Sequence, residues 1–322
     1  MRRVLATGVV IGALALAAVP TSAVAAARVD TGPRLQVPQA KLDASLACTS
    51  GDRTRTPVLL IPGTTVEPTE NFGWNYEQAF RHEKRPFCAV TLPDRSMADI
   101  QISAEYVVNA IRTMHHTFGS RVSIVGHSQG GMIGRWALKY WPDTRGLVDD
   151  LIGMAPSNHG TLDADMLCSP DCAPAIWQQR SDAAFMKALN SGPETWPGIS
   201  YTVVFSYTDG IIVPPQSSEL TTGQGQIANI AVSDACPGHT TDHLSLGTYD
   251  PVTYALVEDA LNHPGPASLS TFDRAACTQA LQPGVNPASF PVDAGRAFTA
   301  VATTIMFTPH VPAEPDVAPY AR

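Results

Sequence analysis

The stretch Arg121–Trp141, RVSIVGHSQGGMIGRWALKYW, constrains the fold more than any other part of the chain. It reads as an apolar run, a tight turn built on Gly126, Ser128 and Gly130, and an amphipathic helix closed by Pro142. Val122, Ile124 and Val125 suit a short buried strand, and Met132, Ile133, Trp136, Ala137 and Tyr140 then recur at helical spacing. In that setting Gly-x-Ser-x-Gly is a nucleophile elbow, a sharp strand-to-helix turn that exposes a Ser hydroxyl above a sheet. Small residues two before and two after the Ser let strand and helix pack closely around a strained backbone. The pattern by itself is short enough to arise by accident, and a Gly-rich connection with a surface Ser is the alternative; the flanks favour the elbow.

The neighbouring sequence alternates strand and helix. Pro57–Ile61 is a continuous apolar run suited to a strand buried on both faces, and it ends in Pro62-Gly63-Thr64-Thr65. Trp74–Arg81 reads as a short helix and Phe87–Leu92 as a strand. Tyr106, Val107, Ala110, Ile111, Met114 and Phe118 share one helical face, with Ser103 as the expected N-cap and Gly119 as the C-terminal cap. His115 and His116, near that helix's C-terminus, read as structural surface residues. Strands follow at Asp150–Ala155, Tyr201–Phe205 and Ile227–Val232, then a helix over Pro251–Leu261. This order predicts an α/β fold, a mostly parallel sheet covered by helices on both faces. The alternation lapses at about 162–197, which is expected to form a cap with a helix from Ile176 or Ser181 to Leu189. The Pro-rich tail, about 298–322, is expected to run extended over the surface.

The first residues stand apart. Arg2 and Arg3 precede an apolar segment, Val4–Val19, and Ala23-Val24-Ala25 supplies small residues for cleavage, so residues 1–25 read as a secretory signal peptide cut near Ala25. The apolar run falls short of the ~20 residues that a spanning helix needs. Residues 26–322 are then expected to form one domain. Losing Arg2 and Arg3 takes the formal net charge from −8 to −10, and an acidic chain without a basic face gives no sign of binding nucleic acid. The six Cys, in an exported chain, suggest three disulfides without fixing the pairing. Cys168 and Cys172 lie close together, but no second Cys/His pair nearby completes a tetrahedral metal site.

A Ser nucleophile needs an imidazole within reach and an acid to fix the imidazole tautomer. Asp209, just past a β-rich run, and His243, past the next strand, follow Ser128 in the Ser, Asp, His order of α/β-hydrolases. Asp234 and Asp242 compete for the acid, and His239 and His263 for the base. The loop at Pro62–Thr65 leaves the C-terminal end of a central strand, where its N–H groups are candidates for an oxyanion hole.

From about Leu42 to the C-terminus the chain resembles the Candida antarctica lipase B group of secreted α/β-hydrolases. The likeness rests on a series of short matches in order: Leu-Asp-Ala-Ser-Leu at 42–46 with Cys48, Leu-Leu-Ile-Pro-Gly-Thr at 59–64, and Glu-Tyr-Val-Val-Asn-Ala-Ile at 105–111. Ser-Gln-Gly-Gly at 128–131, Ala-Pro at 155–156, Trp-Gln-Gln at 177–179, Asp-His at 242–243, Glu-Pro-Asp at 314–316 and a closing Pro-Tyr-Ala-Arg continue it. The resemblance implies an α/β-hydrolase fold with a small cap, Ser128 as nucleophile, Asp209 as orienting acid and His243 as base. It further implies an oxyanion hole from Thr64, by its N–H and hydroxyl, and from the Gln129 N–H. Cys48–Cys88 and Cys236–Cys277 are the disulfides it suggests. The sequence departs from the yeast enzyme at Gly126-His127, where that enzyme has Thr-Trp, and at Ser157, where it has Asp; Cys168 and Cys172 are extra. The function so implied is that of a secreted, cofactor-independent and metal-independent serine carboxylester hydrolase, foremost a lipase, acting as a monomer on ester substrates at a lipid–water interface. A short-chain esterase, a polyester hydrolase, a cell-envelope acyltransferase and an inactive binding module are the alternatives.

Overall fold

The computed structural model describes residues 4–6, 8 and 30–322; the expected signal peptide falls largely on residues outside these. Seven strands form one sheet: β1 (Leu46–Thr49), β2 (Val58–Ile61), β3 (Phe87–Val90), β4 (Val122–His127), β5 (Val148–Met154), β6 (Ser200–Phe205) and β7 (Gln226–Ala231). Their spatial order is β1-β3-β2-β4-β5-β6-β7. All neighbours run parallel except β1, which pairs antiparallel with β3 at the edge and brings Cys48 opposite Cys88. Those two cysteines are bonded, as are Cys236 with Cys277 and Cys168 with Cys172.

Period-two alternation explains why the central strands are apolar throughout. Leu59 and Ile61 enter one core with Ile124, Leu151 and Val203. Val58 and Leu60 enter the opposite core with Val125, Ile152 and Val204. On the first face the helices Ile100–Phe118 and Gln129–Tyr140 contribute Val107, Ile111 and Trp136; on the second, Tyr76–His82 and Pro251–Asn262 contribute Phe80 and Leu256. Fully buried Phe80, Trp136 and Leu256 seal the sheet from water, each worth roughly 2–3 kcal/mol of burial.

Three expectations are corrected. The helix after β3 starts at Ile100, capped by Asp99, whose carboxylate accepts from the Gln101 N–H at 2.9 Å; Ser103 lies buried within the first turn. An Asp carboxylate there suits both the free N–H groups and the positive end of the helix dipole. The helix expected up to Leu189 is broken into Pro174–Gln178 and Ala184–Leu189, because the Gln179 carbonyl accepts from the Thr161 N–H at 2.9 Å instead of continuing a helical ladder. The tail from 298 is not extended throughout: Phe290–Phe307 is a helix, with Pro291 confined to its first turn where a missing N–H costs nothing. The chain becomes extended after it, and Glu314 accepts from the Ala184 and Phe185 N–H groups, capping the second short helix of the cap.

Candidate active site

The elbow forms because its helix packs against β4 and the end of β2 too closely for side chains. A Cβ on Gly130 would stand 2.1 Å from the Ile61 carbonyl oxygen, and one on Gly126 2.3 Å from the Gly130 backbone. Between them Ser128 takes φ 54° and ψ −124°, a left-handed conformation costing about 1–3 kcal/mol in a residue with a side chain. Its N–H donates to the Met154 carbonyl at the end of β5, 2.8 Å away, which ties the strained turn to the neighbouring strand. β2 pairs with β4 through Ile61 and Gly126, so the loop leaving β2 lies beside the elbow.

A cavity of about 450 Å³ opens over this point, within the size range of small-molecule sites. Ser128, Asp209, His243 and Thr64 line it together. Asp209 follows β6 and is buried, while His243 begins a short helix, His243–Leu246, capped by Asp242. His243 Nδ1 lies 2.9 Å from both Asp209 carboxylate oxygens, and its backbone N–H donates to the Asp209 carbonyl, also at 2.9 Å. Asp209 Oδ1 also accepts from the Ile211 and Ile212 N–H groups at 2.9 and 2.7 Å. Burial opposes ionisation of Asp209, but the His243 charge and these hydrogen bonds outweigh it and hold the carboxyl below its ordinary value.

The rival residues are engaged elsewhere. His239 Nε2 pairs with Asp250 Oδ1 at 2.6 Å, His263 Nε2 with Asp259 Oδ2 at 2.8 Å, and Asp234 is exposed on a short helix. Asp242 lines the cavity, but its carboxylate caps the helix of His243 by accepting from the Leu244 and Ser245 N–H groups.

Beside Ser128, neither the Thr64 nor the Gln129 backbone N–H has an acceptor among the described residues. Gln129 is the first residue of its helix, where the ladder leaves the N–H free. The Gln129 side chain is buried: Nε2 donates to the Ser96 carbonyl at 2.9 Å and to Thr64 Oγ1 at 3.2 Å. Thr64 Oγ1 also accepts from Gln179 Nε2 at 3.0 Å.

Three residues at the site have no role assigned from the sequence. His127 is buried under His243, with ring centroids 4.9 Å apart and Nε2 3.0 Å from the His243 carbonyl oxygen. Burial first, then repulsion from His243, pushes its pKa down to about 3, so it is a neutral prop. Asp163, in the first turn of the cap helix Leu162–Leu167, adds a third carboxylate to the cavity wall beside those of Asp209 and Asp242; burial and then Asp209 raise its pKa. Gln179, from the Trp-Gln-Gln motif, reaches Thr64. Around the mouth, Leu167, Ile211, Phe298 and Ile305 line the cavity and still stand 42–53% exposed to solvent, an apolar rim formed by the cap, the loop after β6 and the C-terminal helix.

Comparison with known proteins agrees with this architecture. The family described as "Putative serine esterase (DUF676)" matches residues 94–165, the part containing the elbow. Lipase B of Pseudozyma antarctica is 29% identical over 328 residues, covering 98% of this chain and 94% of that one. The crystal structure of Aspergillus fumigatus lipase B superposes with a TM-score of 0.80 at 28% identity, covering 91% of this chain and 74% of the other. The fold is that of an α/β-hydrolase. The mature form of Bacillus licheniformis lipase BlEst2 shares this α/β-hydrolase fold at 17% identity and a TM-score of 0.51, covering 63% of this chain and 92% of its own. The resemblance to the lipase B group, read above from short motifs, thus extends over nearly the whole α/β-hydrolase chain.

Proposed function

We propose that this α/β-hydrolase is a secreted serine carboxylester hydrolase acting on lipid esters, with Ser128 as nucleophile, His243 as general base and Asp209 as its orienting acid. The observation that carries the reading is the two-oxygen grip of Asp209 on His243 Nδ1 in the same cavity wall as the strained Ser128. With Nδ1 so held, Nε2 is the ring nitrogen left to take the Ser proton. The His243 ring makes its hydrogen bonds through Nδ1 to Asp209 and none from Nε2 to Ser128; such bonds commonly tighten when substrate binds. In the reaction Ser128 Oγ attacks the ester carbonyl carbon, and His243 accepts the proton and passes it to the leaving alcohol. Water, deprotonated by the same imidazole, then releases the acid from the acyl-enzyme. The free N–H groups of Thr64 and Gln129, with the Thr64 hydroxyl, hold the oxyanion. No step calls on a metal or cofactor.

The apolar rim of Leu167, Ile211, Phe298 and Ile305 supports a water-poor ester, and a lipase rather than an esterase confined to small soluble substrates. Every described cysteine is in a disulfide, which supports an exported chain, and with it the reading of residues 26–322 as the mature domain after cleavage near Ala25. The test is a chain-length series of p-nitrophenyl esters followed by triglyceride emulsion, with Ser128→Ala alongside. Hydrolysis extending to long chains and emulsion, and abolished in Ser128→Ala, is the expected result. Full turnover by a folded Ser128→Ala would remove the nucleophile assignment, and a rate confined to acetate and butyrate esters would replace lipase by esterase.

A further inference from the structure

Thr64 Oγ1 sits between two amide groups whose orientation is fixed from behind. Gln179 Nε2 lies 3.1 Å from the Ala175 carbonyl oxygen, and Gln129 Nε2 lies 2.9 Å from the Ser96 carbonyl oxygen. A carbonyl only accepts, so nitrogen must face it, and neither amide can be turned over without placing oxygen against oxygen. Gln179 is set from its other end as well, since Oε1 accepts from the buried Ser157 hydroxyl at 2.8 Å. Each amide therefore aims its second N–H at Thr64 Oγ1, at 3.0 Å from Gln179 and 3.2 Å from Gln129.

A hydroxyl has two lone pairs and one proton. Both lone pairs of Thr64 Oγ1 face donors, so its proton must point away from both amides, and it finds no acceptor among the described residues. The direction left is the cavity that Thr64 shares with Ser128. Gln129 keeps this arrangement although its Oε1 is buried without a partner, so its amide is held by what its nitrogen does.

We infer that Gln179, aligned by Ser157, acts with the Gln129 side chain as a positioning residue that turns the Thr64 hydroxyl into a fixed donor toward the substrate's oxyanion. The inference rests on the proposed ester-hydrolase reading and adds to it the group that sets the rotor. A hydroxyl already aimed at the developing charge need not reorganise during the reaction, which is where such donors gain their effect. Position 157 takes part because a hydroxyl there donates to Gln179 and leaves the amide nitrogen free for Thr64. An apolar residue would leave Oε1 unpaired.

The test is a double-mutant cycle read as kcat and KM on a soluble p-nitrophenyl ester. Thr64→Val is expected to lower kcat by about 10²-fold, and Gln179→Leu by about tenfold with KM nearly unchanged. In the Thr64→Val background Gln179→Leu should change kcat by less than about twofold, because no rotor remains to be set. Ser157→Ala should lower kcat about threefold in the natural background and leave it unaltered with Thr64→Val. This second cycle carries the test if Gln179→Leu does not fold. An unchanged kcat in Gln179→Leu, or equal losses with and without the Thr64 hydroxyl, overturns the inference and makes Gln179 merely structural. Failure of the underlying reading shows differently: folded Ser128→Ala and Thr64→Val would both retain full turnover, whatever Gln179 does.

Discussion

Asp150 offers a prediction whose size follows from one buried group. It lies on β5 at 7% exposure, and its Oδ2 accepts from the Ser123 hydroxyl on β4 at 2.7 Å, beneath the strand that leads into the elbow. Burial raises its pKa from the ordinary 3.8 to about 7, against the opposing pull of the Ser123 hydrogen bond. Between those two values the folded chain binds more protons at this site than the unfolded chain. The contribution of Asp150 to stability is therefore fully present below pH 3.8 and is lost as pH rises to 7. A change of that size corresponds to about 4 kcal/mol at pH 8, an upper value because water and side-chain relaxation reduce it. Asp150→Asn keeps the shape and an acceptor for Ser123 but removes the ionisation. It should leave stability nearly unchanged at pH 4 and raise it by as much as about 4 kcal/mol at pH 8. Equilibrium unfolding in guanidinium chloride at both pH values measures the difference directly, since the other titrating groups cancel between the two proteins. A gap that does not widen from pH 4 to pH 8 would refute the argument.

Other consequences are equally specific. Asp209→Asn should lower kcat by about 10⁴-fold with the fold retained, because the amide favours the wrong His243 tautomer; circular dichroism and steady-state kinetics check both halves. Phe298→Ser with Ile305→Ser should lower the rate on emulsified triglyceride by about tenfold while a dissolved short-chain ester is hydrolysed as before, since only the former needs the apolar rim. Arg135→Ala should cost about 3 kcal/mol in denaturant unfolding: the guanidinium is fully buried, donates to the Asn158 carbonyl and to Asn190 Oδ1, and faces Glu194 at 3.8 Å.

The parts of the molecule most legible in the sequence are those fixed by local chemistry. The Gly-x-Ser-x-Gly turn, the apolar runs of β2 and β4, and Gly119 at a helix end in the left-handed region each announce themselves through a steric need or a simple period. The candidate site was legible less directly. Spacing alone left His239 beside His243; the resemblance favoured His243, and in the fold His239 faces Asp250 instead. The edge strand β1, with two exposed residues of four, carries too little apolar signal to be read from sequence. The helix Phe290–Phe307 was hidden by the proline-rich sequence after it, because composition averages over a boundary that the chain respects sharply. Gln129, Gln179 and Ser157 are the harder case. Their meaning lies in which lone pair meets which N–H, and three elements distant in sequence supply it.

In the proposed reaction one Ser, made reactive by one His, carries the acyl group. Labelling the purified enzyme with a serine-directed phosphonate ester and mapping the adduct by mass spectrometry tests it most directly. One phosphonyl group per chain is expected, on the peptide containing Ser128, with labelling abolished in Ser128→Ala and strongly slowed when His243 is replaced by Ala. An adduct on any other residue, or undiminished labelling of folded Ser128→Ala, would contradict it.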